Sequence, residues 1–369
     1  MSRLEKNIIE ILGDNYNKFC DSVIYREGED FYTDENKISE LSYNENPLGP
    51  GKLAREALIH HAQYGHRYPP LAYSLLINKL GEKLGLRYEN ILVVPGSVAA
   101  IDLAVRQLAD DGDRVIFSKS SIPWYRWSTF ANKSEPIIVP LLGDMNHDLE
   151  TIFNSVDEKT KVIIISNPHN PTGLYIPEES LKELLLRIPQ HVTLIVDQAY
   201  YEYQSNQETI LLELVNKVSN LILTRTFSKL HGLAGMRIGY AISNEEIIKS
   251  LKAKWLAYMP AVTSAGAYAA YHTLEDIEHY EVSRKFNNEV KEKLYKLCAE
   301  YGVPILHSEA NFAAINVKDS IKNEKLFHEQ GFRLTAGYFF GYPEWVRISF
   351  ITPLEVLIKR MRNIYEKFH

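Results

Sequence analysis

Thr226-Phe227-Ser228-Lys229-Leu230-His231-Gly232-Leu233-Ala234-Gly235-Met236-Arg237 sets one lysine between two hydroxyls and an arginine. The run at 221–224 just before it is apolar and reads as a buried strand. Lys229 then stands just past a strand's carboxyl end, where open α/β sheets bind their ligands. A lysine that attacks a carbonyl must spend time as the neutral amine, and apolar or cationic neighbours favour that form. Thr226, Ser228 and Arg237 would meanwhile hold a phosphate, the arginine as a planar fork. Taken alone, the segment is also a basic loop eased by glycine.

Outward from this stretch, strand-like and helix-like runs alternate, the pattern of a mostly parallel sheet covered by helices. Strands are expected at 91–94, 114–118, 136–141, 161–166, 192–197, 221–226 and 237–242, with helices at 51–64, 71–85, 98–110, 178–188 and 244–258. Past 262 the character changes to a long charged helix at 277–301, short strands near 311–317 and 346–350, and a terminal helix from Pro353. The expected fold is a three-layer αβα large domain over 51–262 with a smaller α+β domain over 263–369. Residues 1–50, with a helix at 3–12 and an acidic, aromatic stretch at 25–35, should join the small domain or cover the cleft.

The chain has 369 residues, 45% hydrophobic and 24% charged, with a net charge of -6, as in an ordinary globular protein with a large core. No basic stripe suited to nucleic acid is present. Cys20 and Cys298 lack the close Cys or His partners of a zinc motif, and two cysteines make no disulfide framework. A reducing cytoplasm is the expected compartment. No run of apolar residues approaches membrane-spanning length. His272, Glu275 and His279 share a helical stretch, but their spacing is weak evidence for metal.

Other strand ends carry chemistry. Asn170 lies between Pro168 and Pro171, which fix the backbone and present its amide to a ligand oxygen. Asp197 closes an apolar strand, where a carboxylate is costly unless paired, and a protonated ring nitrogen would pair it. Tyr200 follows within reach of the same ring. Gly96 and Ser97 open a helix whose amino terminus suits an anion.

With these residues in place, the chain resembles the fold-type-I pyridoxal-phosphate enzymes of the aminotransferase class I and II superfamily, most nearly the histidinol-phosphate aminotransferases. The likeness runs from Asn44-Glu45-Asn46-Pro47 through Arg67-Tyr68-Pro69, Gly96-Ser97, the motifs at 166–173, 197–203 and 226–240, to Trp345-Val346-Arg347-Ile348-Ser349. It implies pyridoxal 5'-phosphate as cofactor, bound as a Schiff base at Lys229, with Asp197 on its ring nitrogen and Asn170 and Tyr200 at its phenolate oxygen. It further implies that Gly96, Ser97, Thr226, Ser228 and Arg237 hold the cofactor phosphate. By the same resemblance Tyr68 reaches the phosphate in a neighbouring subunit, making a homodimer with shared sites, and Arg347 pairs with the α-carboxylate of an amino-acid substrate.

The chain also departs from that pattern. Thr335 stands where an arginine usually holds the substrate's phosphate, although Arg333 would share its face in a strand. Val98 and Ala99 replace acidic residues. Ile122 falls where an aromatic side chain stacks on the cofactor ring, with Trp124 close by. His231 replaces an aromatic. Two reactions fit these changes. One is transamination of an amino acid other than histidinol phosphate. The other is elimination and cyclisation of a hydroxylated, arginine-like amino acid, with His231 as acid and Glu45, Asn46, Glu27 or Asp30 at the substrate.

Overall fold

The computed structural model describes residues 39–258, 261–350 and 361–366. The helix expected at 3–12, the stretch at 25–35 and residues 353–360 of the terminal helix lie outside them, whereas 361–365 are helical. Twelve strands follow in chain order: β1 (Ser39–Glu40), β2 (Ile91–Val94), β3 (Arg114–Ser118), β4 (Glu135–Val139), β5 (Thr160–Ser166), β6 (Thr193–Asp197), β7 (Leu221–Thr226), β8 (Gly239–Ile242), β9 (Phe312–Asn316), β10 (Phe332–Arg333), β11 (Thr335–Ala336) and β12 (Trp345–Ser349).

The main sheet has the order β2-β8-β7-β6-β5-β3-β4, in which β8 alone runs antiparallel to its neighbours. Its central strands are buried at nearly every position because both faces are covered. Along β5, Ile163 and Ile165 pack into one core while Val162 and Ile164 pack into another, as the two-residue strand period requires. Helices Lys52–His61, Ser74–Leu84 and Glu178–Arg187 contribute to the first face, and Ser97–Leu108 and Glu245–Tyr258 to the second. This is the αβα sandwich expected from the sequence, with strand ends shifted by one or two residues. One such shift is at β8, which begins at Gly239 because Arg237 takes the left-handed conformation at φ 49° and breaks the strand.

A separate apolar core joins Leu41, Val290, Leu294 and Leu297 to β9, β12, Phe327 and Phe332. There β9, β12 and β11 form an antiparallel sheet, and β1 pairs with β10 in parallel. Helix Ile277–Glu300 covers it. The alanine-rich helix Ser264–Thr273 packs instead with the large core, where Ala267, Ala269 and Ala270 meet Ala54 and Ala57 of Lys52–His61. Helix Pro123–Ala131, which the sequence reading left out, opens with proline at its first position and brings Tyr125 beneath the ends of the strands.

Gly239 ties the sheet to the loop after β2. A Cβ there would lie 2.7 Å from the Arg225 carbonyl oxygen and 2.8 Å from the Gly96 backbone. Gly239→Ala should destabilise the protein by about 1–3 kcal/mol, the cost of overpacking a filled site. The midpoint of urea denaturation measures this, and an unchanged midpoint would show that Gly96 yields freely.

Candidate active site

The carboxyl ends of β5, β6 and β7, the start of helix Ser97–Leu108 and the edge of the smaller sheet enclose a cavity of about 1140 Å³. Lys229, half-buried, lines it and donates from Nζ to the Tyr43 carbonyl oxygen at 2.8 Å. Burial, then the charges of Arg347 and Arg237, lower the Lys229 amine to about 7, although Glu45 and Asp197 pull the other way. Near neutral pH this amine is therefore divided between its two protonation states.

Asp197 is buried at the end of β6. It accepts from the Tyr125 hydroxyl at 2.8 Å and the Thr224 hydroxyl at 3.1 Å. Burial raises its pKa, and these bonds, with others from the Ala199 amide and the Ser97 hydroxyl, oppose the rise. All four donors are neutral. A cationic ring nitrogen reaching this carboxylate would supply the charge they lack.

The Tyr200 hydroxyl accepts from Asn44 Nδ2 at 3.0 Å and from Asn170 Nδ2 at 3.1 Å. Two amides thus fix the phenol and leave its own proton for a ligand oxygen. Asn170 Oδ1 accepts from Arg347 Nη1 at 2.6 Å. Arg347 Nη2 donates to the Ser42 carbonyl oxygen and, at 3.0 Å, to Thr335 Oγ1. Thr335 faces Arg347 across the β11–β12 ladder and so braces it. Phe312 and Phe340 flank the guanidinium at 5.5 and 5.6 Å from their ring centroids.

Across the cavity, the helix Ser97–Leu108 starts after Gly96, whose φ of 91° suits glycine. A Cβ on Gly96 would come within 3.1 Å of Arg237 Nη2. The glycine thus keeps open a hollow between a guanidinium and a helix amino terminus. Thr226 Oγ1 donates to Ser228 Oγ at 2.9 Å beside it. This cradle and the Asp197 carboxylate fit the phosphate and the protonated ring of pyridoxal phosphate.

Two of the expected substrate residues do not face the cavity. His231 is buried, contacts Thr273 Oγ1 at 3.4 Å and packs against Phe227. Burial lowers it to about 3, with His279 and Lys83 adding to the effect, so it is a neutral packing residue rather than a second acid. The turn closed by the Gly232 amide on the Lys229 carbonyl, at 3.0 Å, carries it to the side opposite the lysine. Asn46 spends its amide on the Leu230 carbonyl at 2.6 Å and Ser283 Oγ at 2.9 Å. Glu45 does line the cavity, as do Ile122 and Trp124, whereas Tyr68 is fully exposed and lies outside it. His279 meets the Leu230 carbonyl and Glu275 pairs with Lys79; no cluster of three metal-type side chains occurs among the described residues. Nor is any described helix long and apolar enough to cross a membrane.

Tyr125, Thr224 and Asn44 were missed as site residues. Thr224 left a signal, a hydroxyl directly after the apolar run Leu221-Ile222-Leu223.

Fold and cavity define an enzyme cleft built around an amine that readily loses its proton, with one anion cradle and one braced arginine. The chain belongs to the aminotransferase class I and II family, which it matches over residues 36–360. It is 33% identical over 321 residues to a histidinol-phosphate aminotransferase of Bacillus licheniformis, covering 85% of this chain and 87% of that one. A second histidinol-phosphate aminotransferase, from Bacillus subtilis, is 32% identical over 321 residues, with 85% and 87% covered. Among solved structures, a putative histidinol-phosphate aminotransferase of Erwinia carotovora superposes with a TM-score of 0.84 at 26% identity, covering 90% of this chain and 97% of that one. The Sinorhizobium meliloti histidinol-phosphate aminotransferase in complex with pyridoxal-5'-phosphate shares the fold, with a TM-score of 0.84 at 22% identity over 90% and 92% of the two chains. Enzymes of this family are aminotransferases that use pyridoxal phosphate.

In the cofactor-free protein, competitive acetylation read by peptide mass spectrometry should give Lys229 a midpoint near the lowered value of about 7. Because Arg347 helps to disfavour the ammonium form, Arg347→Met should move that midpoint upward. A downward shift would contradict the assignment.

Proposed function

We propose that this protein is an aminotransferase acting on an α-amino acid, with Lys229 as both the amine that holds the cofactor and the base at the substrate's Cα. The observation that carries this reading is that one cavity holds Lys229 together with Asp197, the Gly96–Arg237 cradle and the braced Arg347. When bound, pyridoxal phosphate supplies an electron-withdrawing ring that stabilises charge left at Cα.

Each role rests on this chain's own groups. Gly96, Ser97, Thr226, Ser228 and Arg237 would hold the phosphate, through the helix amino terminus and a guanidinium. Asp197 would keep the ring nitrogen protonated, in a pocket where its other donors are neutral. Tyr200, held by Asn44 and Asn170, would donate to the phenolate oxygen. Arg347 would take the α-carboxylate and so turn the Cα proton toward Lys229. With its amine lowered to about 7, Lys229 could accept that proton and return it.

Tyr68, fully exposed and away from its own cavity, suits a site shared across a homodimer. Cys298 is a buried free thiol, which suits a reducing cytoplasm. Among the described residues His231 does not line the cavity, so the acid expected to help a hydroxyl leave is not there, which favours transamination over cyclisation.

The test is the purified enzyme mixed with a panel of amino acids, with absorbance followed and products weighed. Keto acid and aminated cofactor in a single turnover are expected. A dehydrated product of unchanged nitrogen count, without keto acid, would sink the reading in favour of cyclisation. Lys229→Ala should abolish both turnover and the visible absorbance of bound cofactor. Asp197→Ala should lower turnover by about 10²-fold or more, the scale of losing one preorganised electrostatic partner.

A further inference from the structure

A second, smaller cavity of about 150 Å³ adjoins the first, between the end of β3, helix Pro123–Ala131 and the turn Gly337–Phe340. Ile122, Pro123, Trp127, Tyr338, Phe339 and Phe340 line both spaces. Among the described residues its charged lining is Lys119 and Arg126, with no acid.

Arg126 is the unusual group. Several other arginines of this chain meet acids, as Arg114 meets Glu135 and Asp157, Arg187 meets Glu150, and Arg106 meets Asp102, while Arg225 and Arg284 donate to neutral oxygens. Arg126 is half-buried, yet it makes no ion pair or hydrogen bond among the described residues, and burial alone lowers its pKa. A partly desolvated guanidinium without a counter-ion is costly, and a ligand anion would remove that cost. Nearby, Lys119 lies 5.2 Å from the Tyr342 ring centroid. The Ser120 hydroxyl is spent on the Phe340 carbonyl, and that of Ser121 on the Ser118 carbonyl. The two cations are therefore what the cavity offers an anion. Thr335, where an arginine was expected, is engaged by Arg347. Arg333 lines the main cavity but is exposed, so its charge is screened by solvent.

We propose that Arg126, supported by Lys119, is the specificity residue for an anionic side-chain terminus, a carboxylate or phosphate monoester, on the amino acid held at Arg347. The proposal rests on the transaminase reading above. Trp127, Phe340 and Ile122 would line the path of the intervening side chain.

The experiment compares cofactor-loaded wild type, Arg126→Met, Arg126→Lys and Arg333→Met in single-turnover deamination. The substrates are glutamate against glutamine, and O-phospho-L-homoserine against homoserine. Wild type should favour the charged member of at least one pair, and the pair that responds identifies the anion. Arg126→Met should lower that kcat/KM preference by about tenfold or more, through KM rather than kcat, while Arg126→Lys keeps part of it. A preference that moves by less than about twofold in Arg126→Met overturns the proposal, the scale of an exposed pair. So does a loss in Arg333→Met without one in Arg126→Met, or a wild type that ignores the charge. If wild type yields no keto acid from any amino acid of the panel above, the transaminase reading fails first. Keto acid with an unmoved preference sinks only the role of Arg126.

Discussion

Asp197 ends a strand whose other side chains are buried and mostly apolar, and its carboxylate is reached there only by hydroxyls and a backbone amide. A charge in that setting is sustained by preorganised dipoles and by whatever cation the cleft later receives. The neighbouring elements supply those dipoles. Tyr125 comes from the helix after β3, Thr224 from β7 and Ser97 from the helix after β2. The strand order of the main sheet places their carboxyl ends together, so the topology and the electrostatics of the site answer to one constraint.

The main sheet was legible because strands buried on both faces carry short apolar runs, as at 162–165 in β5 and 221–223 in β7. The short strands β1, β10 and β11, each two residues long, leave no periodic trace. Helix Ser264–Thr273 was missed because alanines at close-packed helix contacts give little amphipathic contrast. Within the site, the strand-end residues Asp197, Asn170 and Lys229, singled out from sequence, line one cavity. His231 and Asn46 were misjudged because lying near a motif says nothing about which side of a turn a side chain takes. Tyr125 is not legible from sequence, because its hydroxyl reaches the Asp197 carboxylate only through the helix Pro123–Ala131.

Thr335 shows how a substitution read as a loss takes on another role. In sequence it is an arginine missing from a phosphate subsite. In the folded chain it sits opposite Arg347 and accepts one of its hydrogen bonds, while Asn170 accepts another. The guanidinium is thereby held in one orientation, with aromatic rings on both flanks. Of the nearby cations, Arg333 lines the main cavity and Arg126 the adjoining one.

The segment 41–46 crosses between the two cores and is fastened along its length. Leu41 is buried in the smaller core, and its carbonyl accepts from the Ser349 amide of β12. Asn44 then holds Tyr200, Tyr43 receives the Lys229 amine, and Asn46 grips the Leu230 carbonyl. These six residues act as a tether of fixed length between the strand bearing Arg347 and the loop bearing Lys229. The position of Arg347 and the reach of the Lys229 amine are therefore coupled through one short stretch of chain.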